Sequence, residues 1–471
     1  MAPFVGIQLG PHSVYDEGVD HVLDLLKRTA LINGLLVYSH TYQRYARGRP
    51  IEGMADHGVP IRDPGNRNLT HAWVPANDQH YAGTILRHVR RPDEEYADRD
   101  VIADLIEPAR KRDMQLFVRI LEGHGPSLAA LIPNWSKVLT VDVYGRKHHL
   151  PCWNNPDYRR WWIGTVEDLF TTYPLDGFMY GAERSGPLPN LLVNGTVPGC
   201  FCDHCRARGI EKGINVERAR EGFERLYEFV SDCLADRPRP VDGYYVTFLR
   251  ILLKHPEVLA WEYQWHQAKE EVAKQMYGAI KAIKPSAQVG WHVYHWATWE
   301  PIYRAEMDYA EMKHYSDWIK PVVYHDIAGV RIRNRHILPL SRTVMRDTTP
   351  QQSLALLYDV MGYDKELEPE LDALPTTGMS PDYVYREVRR CVLATNGEVP
   401  VYAGVGFDVP TDGNPMRSDP KRVYEATYRA FEAGAKGLIV SREYDEMRVE
   451  NLEAVGRGIK DAEAAGLIPR R

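Results

Sequence analysis

The sequence has no apolar run of about 20 residues, the length that crosses a bilayer. Its start, MAPFVGIQLG, lacks a basic segment followed by an apolar run and a small-residue cleavage site; it passes straight into a strand-like stretch, so a cytoplasmic protein is expected. Positive charge is not in excess. Lys and Arg number 58 against 64 Asp and Glu, a net charge of −6, which leaves no footprint for nucleic acid or an anionic membrane. No G-x-G-x-x-G or G-x-x-x-x-G-K-[ST] follows any strand-like run, which argues against a doubly wound nucleotide-binding sheet. Internal repeats, low-complexity tracts and long flexible linkers are also missing. Cysteine is scarce, six in 471 residues, and that scarcity makes the placement of the six informative.

What is present is ordinary globular composition, 44% apolar and 26% charged, in a chain long enough to bury a large core. Short apolar runs at 4–9, 34–39, 115–120, 175–180, 288–294, 318–324, 399–404 and 437–441 read as strands. Between them, apolar residues at three- and four-residue spacing predict helices over 19–31, 101–112, 158–172, 216–234, 262–283, 380–395, 421–434 and 451–465. Ser380-Pro381-Asp382 has the form of an N-cap followed by proline in the first turn. Eight strands with almost no polar alternation, each followed by a helix, predict an α/β fold, the parallel (β/α)8 TIM barrel, as a single domain over 1–471. The chain exceeds a bare barrel of about 250 residues by roughly 200. The surplus falls at 41–100, 185–215 and 326–379, each after a strand, which puts all three insertions on the C-terminal face.

Three of the cysteines lie together in 198-PGCFCDHCRARGI-210, and a fourth in 151-PCWNNPDYRRWW-162. In a reducing compartment, clustered thiols point to a metal more than to disulfides. Cys152, Cys200, Cys202 and Cys205 form a candidate four-thiolate set for zinc, a closed and therefore structural site. Cys233 and Cys391 fall inside helical patterns and are expected to be buried bystanders.

This arrangement, Cys-x-x-x-Pro-x-Tyr-Arg before a helix and C-[FY]-C-x-x-C after the fourth strand, resembles glycoside hydrolase family 42, the zinc-binding β-galactosidases of clan A. With 177-GFMYGAERSGPLPN-190 it also looks like uncharacterised bacterial glycosidase-like barrel proteins. The resemblance implies a structural zinc on those four cysteines, a barrel beside it, and a homo-oligomer. It also implies that Glu183, at the end of the fourth strand, is the acid/base. One departure is plain: Ala182 stands where that clan carries an asparagine that contacts the sugar 2-hydroxyl.

Barrel enzymes draw their catalytic groups from strand ends. The polar residues there are His12, His40, Arg119, Glu122, His124, Glu183, His292, His295, Tyr324, His325, Asp326, Asp408, Arg442 and Glu443. Hydrolysis of a glycoside needs two carboxylates, about 5–5.5 Å apart for retention and 6.5–9.5 Å for inversion. Glu183 is the expected proton donor, with Asp408 or Glu443 as nucleophile or base. Substrate contacts are expected from His12, His40, Trp73, Arg119, Glu122, His292, His295, Tyr324 and Arg442. The 41–100 loop carries Tyr42, Tyr45, His71, Trp73, His80 and Tyr81, which suit stacking on sugar rings or a small core of the loop's own. The function expected is a hydrolase (a glycosidase of carbohydrate metabolism, retaining) acting on a small carbohydrate. A metal-dependent sugar isomerase or epimerase and a non-catalytic sugar-binding barrel are the alternatives.

Overall fold

The structure, a computed structural model, describes residues 2–42, 56–59, 70–123, 125, 128–409, 413–414 and 416–470. Eight strands form one parallel sheet: β1 (Phe4–Leu9), β2 (Gly34–Tyr38), β3 (Gln115–Leu121), β4 (Gly177–Gly181), β5 (Gln288–Val293), β6 (Trp318–Pro321), β7 (Tyr402–Gly406) and β8 (Gly437–Ser441). Each pairs with its neighbours in chain order, and β1 pairs with β8. Between β6 and β7 only two isolated bridges, Ile319 with Val401 and Val322 with Gly404, complete the circle. The expected (β/α)8 barrel is the observed fold.

Helices wrap the outside: α1 (Val19–Ala30), α2 (Val101–Arg110), α3 (Pro156–Thr172), α4 (Glu257–Ile283), α5 (Pro301–Glu306), α6 (Pro381–Ala394), α7 (Pro420–Glu432) and α8 (Val449–Ala464). Their starts follow local chemistry. Asp100, Asn155, Ser380 and Asp419 each cap a helix by accepting from a first-turn amide, and Pro156, Pro381 and Pro420 occupy first-turn sites where no backbone donor is needed.

Inside the barrel, the two-residue period of a strand sorts side chains by depth. The lower layer is apolar: Phe4, Leu36, Phe117, Met179, Trp318 and Ile439, with Tyr402 stacked on Phe4 and Trp318. Two residues further along, β3 and β6 present Arg119 and Lys320, and β2 presents Tyr38. On β5, Gly290 leaves room for the Trp318 ring and His292 follows. The floor is therefore greasy, and the layer above it is charged.

The insertions differ in extent from the sequence expectation. After β4 the chain makes helices at Pro187–Asn194, Asp203–Glu211, Val216–Leu234 and Tyr244–Lys254 before returning to the barrel with α4. They enclose a separate apolar cluster containing Leu191, Phe201, Phe223, Leu226 and Trp261. The 216–234 helix, expected to lie on the barrel, packs on this cluster instead, because an amphipathic stripe shows that one face is buried but not what buries it. After β6, a helix at His325–Ile332 runs into a π turn at Arg333–Ile337. Much of the 41–100 insertion, including Tyr45, lies outside the described residues, as does His124. Among the described residues no helix is long and apolar enough to cross a membrane.

Candidate active site

Glu183 follows β4 by two residues and stands in a cleft of about 220 Å³ at the C-terminal mouth, lined also by His149, Arg184, Asn190, Tyr294, Trp296 and Arg335. Its side chain is 34% exposed, the most open acid of this mouth, and its Oε1 accepts from His292 Nε2 at 2.8 Å. Burial works against its ionisation, but the hydrogen bond from His292 and the charges of His292, Arg331 and Arg442 outweigh it and pull the carboxyl down to about 2. Burial and the adjoining Lys320 push His292 down to about 4. At neutral pH the imidazole is thus uncharged, and its hydrogen bond together with the two guanidinium groups keeps Glu183 anionic.

Glu443 stands two residues past β8, at the same C-terminal end of the barrel, buried behind the residues that line the cleft. Its Oε1 accepts from both Tyr38 Oη and Arg119 Nη1, each at 3.2 Å, and Arg119 lies 4.1 Å above the Tyr38 ring. Its Oε2 is buried with no hydrogen-bond partner among the described residues. Burial, then the Glu446 and Asp445 carboxylates, push the Glu443 carboxyl well above its usual range, against the Tyr38 hydrogen bond. Both donors fall on Oε1, and the ion pair that Arg119 makes there at 3.2 Å opposes this upward push. Arg442 beside it is held by Glu446 through two nitrogen–oxygen contacts of 3.1 and 2.9 Å. Tyr324 receives a hydrogen bond from Lys320 at 3.3 Å, and burial pushes its phenol up to about 12.

Several expected site residues lie elsewhere. Asp408, one candidate for the second carboxylate, is fully buried; it accepts from Arg448 N at 3.0 Å, Arg448 Nε at 3.2 Å and Asn451 Nδ2 at 2.7 Å. Its backbone is left-handed, φ 52°, and its carboxylate anchors the start of α8 rather than lining the cleft. Trp73 is 1% exposed, stacks on His71 and donates to Thr41 Oγ1 at 2.9 Å, so it is not a sugar platform. His40 stacks on His88 at 3.7 Å within a buried cluster that includes Tyr42 and Trp161. Glu122 is buried against Arg184 at 2.9 Å and accepts a hydrogen bond from the Tyr158 hydroxyl, fixing the wall behind the cleft. His12 pairs with Asp445 at 3.2 Å, and His295 lies between Tyr383 and Arg331. His325 and Asp326 contact one another in full burial.

Other residues of the mouth were not singled out from sequence. Tyr294 and Trp296 stack at 5.7 Å on the cleft wall, and the signal was available in the run 291-WHVYHWATW-299 directly after a strand. Lys320 was detectable as the one charged residue in the otherwise apolar 318-WIKPVV-323.

The cysteines gather as expected. Cys152, just past a hairpin of Leu139–Val141 and Lys147–Pro151, lies 3.5 Å from Cys202 and 3.4 Å from Cys205 between sulfurs, and all four sulfurs lie within 4.8 Å of one another. Tetrahedral zinc at Zn–S of about 2.3 Å needs sulfurs about 3.8 Å apart, so the set fits the ion. The amides of Val141 and Asn154 and the Asn154 side chain point donors at the sulfurs, as thiolate ligands require. Among the described residues, these cysteines are the one group of three or more metal-binding side chains with donor atoms that close. Among the described residues the strand-end histidines and acids do not form such a group.

Comparison with solved structures gives the same architecture. The chain is similar to the β-galactosidase of the psychrophilic Marinomonas ef1, at 10% identity and TM-score 0.51, over 98% of this chain and 60% of that one. It is similar to the β-galactosidase of the Antarctic haloarchaeon Halorubrum lacusprofundi, at 13% identity and TM-score 0.51, over 97% and 58%. The PgaB (BpsB) glycoside hydrolase domain of Bordetella bronchiseptica matches over 100% of both chains, at 10% identity and TM-score 0.50. The barrel is shared with solved glycoside hydrolases. The chain spans only about 60% of the length of either β-galactosidase. The sequence itself matches no protein family and no curated protein.

Proposed function

We propose that this protein is a glycoside hydrolase acting on a small glycoside or oligosaccharide, with Glu183 and Glu443 as its carboxylate pair. One observation carries the reading: two carboxyl groups at the C-terminal end of the barrel are shifted in opposite directions, Glu183 downward against its burial by His292, Arg331 and Arg442, and Glu443 upward by burial and the Glu446 and Asp445 carboxylates. Environments that push two titratable groups apart in this way separate acid from base. They support an allocation opposite to the one the family resemblance implies. Glu443 gives its proton to the leaving glycosidic oxygen, while Glu183 attacks the anomeric carbon or activates the water that does. Tyr294 and Trp296 offer aromatic faces for a sugar ring, and Asn190, His149 and Arg335 offer polar partners for hydroxyls. The shared barrel with glycoside hydrolases, two of them β-galactosidases, supports the same class. A retaining course and a cytoplasmic setting belong to the proposal, as does a structural zinc on Cys152, Cys200, Cys202 and Cys205.

The test compares leaving groups. General acid catalysis is worth about 10²–10⁴-fold. Glu443→Gln should lose about that factor on an alkyl glycoside and far less on an activated aryl glycoside; Glu183→Gln should disable both. The reverse pattern would restore Glu183 as the acid. Near-normal turnover in both variants, or binding without turnover across a glycoside panel, would end the hydrolase reading. Proton NMR of the first-formed anomer decides between retention and inversion.

A further inference from the structure

Lys320 sits on β6 with no exposed surface, in the layer directly above the apolar barrel floor. Its Nζ lies 3.0 Å from His292 Nδ1 and 3.3 Å from the Tyr324 hydroxyl. The adjacent strand is shaped to admit it: a Cβ on Gly404 of β7 would stand 2.5 Å from Lys320 Cε. The other ring nitrogen of His292 is the one that touches Glu183. Lysine, imidazole and carboxylate therefore form one hydrogen-bonded row, running from the barrel interior to the cleft.

We propose that Lys320 is a positioning residue: by donating to His292 Nδ1, it fixes His292 as the Nε2–H tautomer, so that the imidazole always presents a donor to Glu183. The inference rests on reading Glu183 as one of the two reacting carboxylates. In a neutral imidazole one nitrogen donates and the other accepts, and the partner of one sets the role of the other. Without a donor at Nδ1, the Nδ1–H form becomes available. That form turns the Nε2 lone pair toward the Glu183 carboxylate, two acceptors face to face, and Glu183 loses the hydrogen bond that holds it in place. As an ammonium Lys320 carries donors only, so its hydrogen bond to Nδ1 can run in one direction alone. Burial and the Arg119 guanidinium push its amine well below the ordinary lysine range, and the Glu183 carboxylate opposes them. The groups facing the row are Arg119 from β3, Tyr324 beyond β6, Arg331 from the helix after it and Arg442 beyond β8. The three guanidinium groups carry donors only, so none of the three competes as an acceptor for the His292 proton.

The experiment reads the tautomer first and the rate second. In protein carrying 15N-labelled histidine at pH 7, with His292 assigned by the signal lost in His292→Gln, wild type should show a protonated Nε2 and an unprotonated Nδ1. In Lys320→Met, which keeps the volume and removes the donor, a mixture of both tautomers should appear. On an activated aryl glycoside kcat should fall by about 10–100-fold, the usual loss when an outer-shell partner is removed. KM should move little, because Lys320 does not reach the cleft. A wild-type His292 in the Nδ1–H form overturns the proposal even if the methionine variant fails to fold. Unchanged tautomer or unchanged kcat in that variant overturns it as well. The tautomer is measured without substrate, so it stands apart from the hydrolase reading. An Nε2–H lock in a protein with no glycosidase turnover would sink only that reading, and an Nδ1–H His292 beside an essential Glu183 would sink only the lock.

Discussion

Asp408 and Arg448 meet where neither is appreciably solvated, the aspartate fully buried and the arginine side chain 9% exposed. Removing one member of such a pair strands the other charge, which typically costs about 3–5 kcal/mol. Asp408→Ala should therefore lower the unfolding free energy from urea titration by an amount of that order, while turnover per folded molecule stays near wild type. A large loss of turnover with stability intact would return Asp408 to the site. The residue shows what position along the chain cannot convey. Two residues past β7 is a normal place for a catalytic acid, and Glu183 two residues past β4 does line the cleft. The left-handed backbone at Asp408, and an arginine 40 residues away, decide otherwise. Trp73 and His40 are parallel cases. Their residue types suit sugar contact, and only the packing of the insertion shows that they face inward.

The hairpin ending at Pro151 and the helical insertion after β4 are separate elements joined at the cysteine cluster. Cys152 comes from one and Cys200, Cys202 and Cys205 from the other, so a bound ion would tie the two together beside the satellite core. Purified protein should carry about one zinc per chain by elemental analysis. Cys202→Ser should reduce that content and lower the melting temperature, with kcat largely kept at temperatures where the protein remains folded. Absence of metal in protein prepared without chelators would remove the zinc from this account. The cysteine cluster was legible in the sequence because its spacing is local. The full extent of the insertion was not, because the 216–234 helix carries the same apolar stripe whether it packs on the barrel or on Phe201 and Trp261.

At the scale of the whole molecule, the eight strands were readable because parallel strands buried on both faces give nearly continuous apolar runs, as in 34-GLLVY-38 and 437-GLIVS-441. What the interior contains was harder to read, since Lys320 and Arg119 look like ordinary interruptions until alternation and closure turn them inward. Burial of ionisable groups has a global consequence. His40, His266 and His336 are pushed by burial, aided at His40 by Arg90 and at His266 by Lys269 and Lys274, down to about 3, and His292 to about 4. Unfolded histidines take up protons near 6.5, whereas these four do so only well below that. Stability is then complete above pH about 6.5 and drains away as pH falls toward 4, by at most about 5 kcal/mol per pH unit if all four contribute. Calorimetry between pH 7.5 and 5 should show a falling melting temperature. A flat profile would mean that these histidines are already charged in the native state or that the buried carboxyls Glu300 and Glu443, pushed up in the fold, offset them.

The closure of the barrel between β6 and β7 rests on two bridges and on hydrogen bonds such as Ile319 N to Pro400 O and Val323 N to Gly404 O. The other strand junctions are continuous ladders. A ring with one thin joint breathes there first, so the amides of Ile319 and Val323 should take up deuterium ahead of those on β1 and β8. That joint runs past Gly404, the residue whose missing side chain gives Lys320 its place. Each brief parting of the staves would admit water to the lysine from the side, giving the sealed interior a route for proton exchange that does not pass through the cleft.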